Sequence, residues 1–352
     1  ARAERRLNAE RSSVERIAGP VDLLSPNRME QNIEQILVDD HFAHLHQLVG
    51  DGAGNAPVDQ VLNMFNELYM GLGQVEAAIQ ARTQAVPPTE MLGKLRAEAA
   101  YLPEMLRGMV EGLTDSSQQF AEGNVRQSLA AEIDAEVGQF CRNALADRYP
   151  FTRSSIKDVT LGDFQTLFSP GGRFDGVFRN RLAAQTDTTG ANWVLRQASG
   201  STVSMAPFQN AAAIREVFFP RGGTMDLSFE LRVLTMDPSI ERLTLDFDGQ
   251  QFTYDHGPNN AFRVTWPGQG QGTIRAVAAG AASGERTQTW SGPWALFRMF
   301  DAAGLRVGSG PERFNATLDI EGRRVQLDII ANSVRNPFQM RELVRFRCPS
   351  RA

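Results

Sequence analysis

The chain has 352 residues, 42% of them hydrophobic and 22% charged, which gives enough apolar material for a sizeable core and more than one domain. Its net charge of −5 argues against a protein that holds nucleic acid on a basic face, and no apolar run is long enough to span a membrane. All but two of its 36 lysine and arginine residues are arginine, which suits planar pairing with carboxylates on a folded surface.

The opening ARAERRLNAERSSVERI has no signal-peptide pattern and reads as a polar helix or a cut edge of a longer protein. Short helices fit 26–38, 89–100 and 103–113. Over 57–83, Val58, Val61, Leu62, Phe65, Leu68, Leu72, Val75 and Ile79 recur at three-and-four spacing. That stripe predicts a long amphipathic helix, opened by Pro57 and ended by Pro87–Pro88. A further helix runs from Asn124 towards Pro150, with Leu129, Ile133, Val137, Phe140, Cys141, Ala144 and Leu145 on one face.

After about residue 200 the period changes from helical to alternating. Leu227, Phe229, Leu231 and Val233 face one way, and Ser228, Glu230 and Arg232 the other. Asp248–Gly249 and Glu321–Gly322 sit where hairpin turns belong, and 261–268, 272–280 and 285–290 read as further strands. Helices are expected at 207–219 and 292–304. The fold class expected is α+β: a helical bundle over 1–150, a helical connector over 151–220, and an antiparallel β-sandwich with an inserted helix over 221–352.

The motif LFSPGGRFDGVF, 167–178, raises the possibility of a phosphate loop. Gly171–Gly172 is followed by Arg173 and Phe174, not by the Lys–Ser/Thr that phosphate binding needs, and no strand precedes it. The simpler reading is a structural joint. Leu161–Phe168 ends a short helix, Pro170–Gly171–Gly172 turns the chain, and Phe168, Phe174 and Phe178 enter the core with Asp175 in a folding role. His41, His44 and His46 follow Asp39 and Asp40 but match no zinc spacing, so neither a metal nor a cofactor is expected. No nucleophile elbow occurs, and Asp246, Asp248 and Asp255 read as turn and surface residues. Trp266, Trp290 and Trp294 fit either a sugar-stacking surface or packing beneath loops. Cys141 and Cys348 fit either one disulfide or two buried thiols.

Five segments carry a resemblance: RYPF at 148–151, DVTLGDFQTLFSPGGRFDGVF at 158–178, IREVFF at 214–219, GPWALFRMFD at 292–301 and FRCP at 346–349. Together they resemble the periplasmic C-terminal region of the TssM (IcmF) family of type VI secretion systems. The resemblance covers most of the chain from about His41. It implies helical subdomains followed by a β-sandwich, and a scaffold without enzymatic activity, small-molecule substrate or nucleic acid. It implies binding to the outer-membrane lipoprotein TssJ, a homo-oligomeric ring of TssM copies, and association with TssL through a membrane part outside this sequence. A periplasmic address would favour a Cys141–Cys348 disulfide. Within that reading, the polar loop YDHGPNN is the expected partner contact, through Tyr254, Asp255, His256, Asn259 and Asn260. The rival is an envelope carbohydrate-binding or glycan-cleaving sandwich, a reading that fails if Trp266 and Trp290 are both buried.

Overall fold

The computed structural model describes residues 42–43, 48–49, 56–83, 85–196, 203–282, 284–333 and 335–349. The candidate cluster of Asp39, Asp40, His41, His44 and His46 lies outside them. The chain forms two compact units, Ala1–Val125 and Arg126–Ala352.

In the first unit, α1 (Pro57–Gln80) starts with its proline in the first turn, and the Asp59 carboxylate accepts from the Ala56 N–H at 3.1 Å. It shares an apolar core with α2 (Thr89–Ala99) and the first part of α3 (Glu104–Ile133), built on Val61, Leu68, Leu92, Leu95, Ala99 and Val110. Arg96 ties α2 to α3 by donating to Asp115 at 2.7 Å and Gln118 at 2.5 Å. The sequence suggests two helices with a polar link at 114–123, yet α3 is continuous there. Its hydroxyls bond back along their own helix, Thr114 to Val110 O at 2.6 Å and Ser116 to Gly112 O at 2.7 Å, so the polar residues do not break it.

The second unit begins at the end of α3, which runs through a π turn (Asp134–Gly138) into α4 (Gln139–Leu145). Ile133, Val137, Cys141 and Leu145 are buried in the same core as the sandwich, so these residues belong to this unit and the chain divides after Val125 rather than near 150. Further helices of this unit include α5 (Leu161–Phe168), α6 (Arg173–Val177), α7 (Ala206–Phe218) and α8 (Ala295–Ala302), with a single turn at Arg341–Val344 near the C-terminus. The Thr160 hydroxyl caps α5 by accepting from Asp163 N at 3.0 Å. A two-residue ribbon, β1 (Thr186–Asp187) with β2 (Val194–Leu195), has no alternating sequence signal.

The remaining strands are β3 (Leu227–Met236), β4 (Arg242–Phe247), β5 (Gln250–Tyr254), β6 (Phe262–Trp266), β7 (Thr273–Gly280), β8 (Gly284–Ser291), β9 (Gly304–Val307), β10 (Arg313–Ile320) and β11 (Arg323–Ala331). One sheet has the order β6-β3-β11-β10-β9 and the other β5-β4-β7-β8, all neighbours antiparallel. Asp248–Gly249 and Glu321–Gly322 do close hairpins, all four residues at positive φ as tight turns of the primed type require. Phe229 of one sheet meets Phe247 of the other edge-to-face at 6.1 Å, so the two sheets share a core. Gly304, expected to close the inserted helix, instead opens β9, because α8 ends at Ala302 and Ala303 is already extended.

Candidate interaction surface

The joint residues sit within the second unit. Leu167, Phe168, Phe174 and Val177 are buried, and Phe178 is half-buried against Trp193 at 4.8 Å. Phe168 stacks on Phe174 at 5.6 Å, and both rings meet the edge of Phe346 near the C-terminus, at 5.2 and 5.4 Å. Gly171 adopts φ +76°. A Cβ on Gly172 would stand 2.9 Å from the carbonyl oxygens of both Thr166 and Ser169, so only glycine fits the close turn from α5 into α6.

Asp175 is the buried charge of this joint, 7% exposed. One carboxylate oxygen accepts from Gly171 N at 2.7 Å and pairs with Arg179 at 2.7 Å; the other pairs with Arg215 of α7 at 2.5 Å. The Gly171 N–H thus serves an internal carboxylate and the Gly172 N–H donates to Ser169 O at 2.8 Å, so neither glycine N–H is offered to a phosphate. Arg173 points elsewhere: it donates to Glu136 O at 2.6 Å and lies 4.5 Å over the Phe140 ring.

The segments carrying the resemblance meet one another. The Tyr149 hydroxyl donates to Asp301 at 2.6 Å, and Arg153 pairs with the same carboxylate. Arg298 of α8 lies 4.1 Å over the Tyr149 ring and pairs with Asp158. Trp294 donates its indole N–H to Val159 O at 2.7 Å. Cys348 is disulfide-bonded to Cys141, with Cα atoms 5.8 Å apart, and Arg142 donates to Pro349 O at 2.8 Å. Burial pushes the Tyr149 hydroxyl up to about 12, against the opposing pull of the Arg153 and Arg298 guanidiniums.

The loop after β5 carries the chain from one sheet to the other. Asp255 and Asn260 are exposed and Tyr254 is half-buried. His256 and Asn259 are also exposed but have structural partners: His256 Nε2 lies 2.9 Å from Ile240 O, and Asn259 accepts from Val233 N at 3.3 Å while donating to Val233 O at 2.6 Å. Asn259 thus extends the sheet past the end of β6, a role that no spacing in the sequence announces. Gln250 does the same on β6 itself, donating to Thr265 O at 2.7 Å and accepting from Thr265 N at 2.8 Å.

The other candidates are also internal. Asp248 accepts from the N–H groups of Gly270, Gly272 and Thr273 at 2.8–3.2 Å and so fixes the loop before β7. Trp266 is 5% exposed beneath Trp294 and Phe297, which removes it from any sugar platform, whereas Trp290 is half-buried. Among the described residues, no three His, Cys, Asp or Glu side chains converge to hold a metal, and no helix is long and apolar enough to cross a membrane.

With this geometry in view, the likeness to known proteins has a physical basis. Residues 229–333, the body of the sandwich, match the family described as the type VI secretion protein IcmF C2-like domain. Over 328 residues the chain is 35% identical to the type VI secretion system component TssM1 of Pseudomonas aeruginosa, covering 88% of this chain and 30% of that protein's length. Among solved structures, a chain of a type VI secretion system membrane core complex superposes with a TM-score of 0.68 at 20% identity, covering 93% of this chain and 75% of that one. The TssM C-terminal domain from EAEC superposes with a TM-score of 0.55 at 22% identity, covering 64% of this chain and 96% of that one. At those identities the superpositions speak for the fold. Over most of its length this chain therefore resembles the C-terminal region of TssM, and its residues 229–333 match the C2-like domain of the IcmF family.

Proposed function

We propose that this chain is a structural scaffold of a type VI secretion membrane complex, placed in the periplasm and without catalytic activity. The 35% identity to TssM1 over 88% of the chain carries the reading. The internal use of Asp175 and Asp248, whose carboxylates are spent on backbone N–H groups and, for Asp175, on arginines, fits a structural role. In this role the chain binds the outer-membrane lipoprotein TssJ and further copies of itself, while TssL is reached through a part of the protein outside this sequence. Tyr254, Asp255 and Asn260 offer the contact surface at the end of the sandwich, with His256 and Asn259 shaping the loop beneath them. The joint formed by Phe168, Gly171, Gly172, Phe174, Asp175 and Phe178 holds α5, α6, α7 and the C-terminal segment together within the second unit.

The test is a titration of the cognate TssJ ectodomain into the purified chain, followed by calorimetry and by size-exclusion chromatography of the mixture. Saturable binding that weakens in Asp255→Ala and Asn260→Ala supports both the role and the loop. Binding that ignores those variants moves the contact elsewhere, and a chain that stays free at saturating TssJ overturns the role.

A further inference from the structure

Strand β9 is the unprotected edge of the five-stranded sheet. Its register pairs Val307 with Phe314 and Leu305 with Ala316, and the next pair outward is closed by Gly308 N donating to Arg313 O at 2.8 Å. Hydrogen-bonded pairs alternate along an antiparallel ladder, so Arg306 bonds to Asn315 while Leu305 and Val307 turn their N–H and C=O groups away from β10. Their side chains share a face with Phe314 and Ala316, which are fully buried, yet Val307 is 76% exposed. The core-facing row runs out at the edge with an apolar residue uncovered.

The sheet's opposite edge is treated differently. The Gln250 amide occupies the outward N–H and C=O of Thr265 on β6, and Asn259 occupies those of Val233 where β6 stops. Among the described residues, no side chain does this for Leu305 or Val307. An open edge of this kind is a template for another strand.

What fits beside it is set by charge. An open cavity of about 610 Å³ adjoins β9, with Leu305 and Val344 giving it an apolar side. Three arginines line it, Arg153, Arg341 and Arg345, against one carboxylate, Asp301, which is already bonded to Arg153 and Tyr149. This is a cationic cleft on a chain whose net charge is −5.

We infer that β9 takes an extended acidic segment of a partner protein as an added strand. The segment pairs with the outward backbone groups of Leu305 and Val307, covers Val307 with an apolar side chain, and sets its carboxylates against Arg341 and Arg345. This surface is separate from the Tyr254–Asn260 loop and does not depend on TssJ.

The experiment selects binders to the full chain from a displayed library of random peptides, then measures the chosen peptides against three proteins. Val307→Pro removes an outward N–H without touching the β9–β10 ladder, and Arg341→Glu/Arg345→Glu reverses the cleft. Circular dichroism and thermal melts check that each variant keeps the parent fold, and if Val307→Pro does not fold the double arginine variant decides alone. The expected peptides carry an apolar and an acidic residue two positions apart, on one face of the added strand, protect the Leu305 and Val307 amides from hydrogen exchange, and weaken about tenfold or more in each folded variant and at high salt. Selected peptides without acidic enrichment, peptides leaving those amides unprotected, unchanged affinity in the double arginine variant, or no enrichment at all would overturn the proposal. So would β9 protection arising from self-association of the chain without peptide.

Discussion

Asp175 and Arg215 lie 40 residues apart in sequence and pair at 2.5 Å, joining α6 to the last turn of α7. The same carboxylate receives Gly171 N, so one buried acid fixes both the shape of the turn and the helix it packs on. Breaking a buried ion pair from one side is costlier than never building it, since the remaining charge stays partly desolvated.

Asp175→Asn is therefore expected to lose about 2–3 kcal/mol, less than a fully buried pair because Arg215 keeps some contact with water. Asp175→Lys places a cation between Arg179 and Arg215 and should yield little folded protein. Urea denaturation followed by circular dichroism measures the first, and soluble yield the second. A fully stable Asp175→Lys chain would remove the structural role assigned to this residue.

Phe174 stacks on Phe168 and meets the edges of Phe208 and Phe346, so it touches α5, α7 and the C-terminal segment at once. Phe174→Ser replaces a buried ring by a small hydroxyl and should cost about 3–5 kcal/mol. In a unit whose other contacts are intact, this shows as a lower denaturation midpoint with a similar slope.

Much of this architecture is legible in the sequence because its signals are local. The alternation of Leu227, Phe229, Leu231 and Val233 and the Asp–Gly and Glu–Gly turns mark strands and hairpins from neighbouring residues alone. What escaped is non-local or carries no periodic mark. Asn259 looks like a loop amide until Val233 is placed beside it, and β9 is four residues long with no full alternation to detect. Glycine 304 follows an apolar helix and so reads as a cap, whereas the pairing of Thr317 with Gly304 draws it into a sheet. The polar run 114–123 hides a helix because its hydroxyls are satisfied on their own carbonyls.

Asn259 separates folding from recognition in the YDHGPNN loop. Asn259→Asp keeps the shape but loses the N–H donated to Val233 O, and should cost about 1–2 kcal/mol. Asp255→Ala and Asn260→Ala remove exposed side chains and should stay within about 0.5 kcal/mol of the parent. Thermal melts of the three variants give the contrast. Equal destabilisation by all three would mean the loop is held by groups other than Asn259.

The Cys141–Cys348 bond closes a loop of 207 residues, tying α4 to the C-terminal segment. Restricting the unfolded chain over so long a loop contributes about 3–5 kcal/mol. The double variant Cys141→Ser/Cys348→Ser should melt roughly 10 °C lower than the oxidised chain. Reducing the parent protein should bring its melting curve to that of the variant. If oxidised and reduced parent melt together, the bond constrains little.

Tyr149 supplies a test with a defined sign in pH. Burial holds its hydroxyl in the neutral form and pushes it up to about 12, above its ordinary value near 10. Between those values the unfolded chain gives up this proton while the folded chain keeps it, so the folded state binds more protons there. Stability from this group is full below about pH 10 and is lost as pH rises towards about 12. The loss should reach about 2 kcal/mol. Tyr149→Phe removes the titration together with the hydroxyl's bond to Asp301, so it should lower stability at neutral pH by about 1 kcal/mol and flatten the alkaline decline. Urea midpoints from pH 8 to 11.5 compare the two proteins, and parallel declines in parent and variant would assign the alkaline loss to other groups.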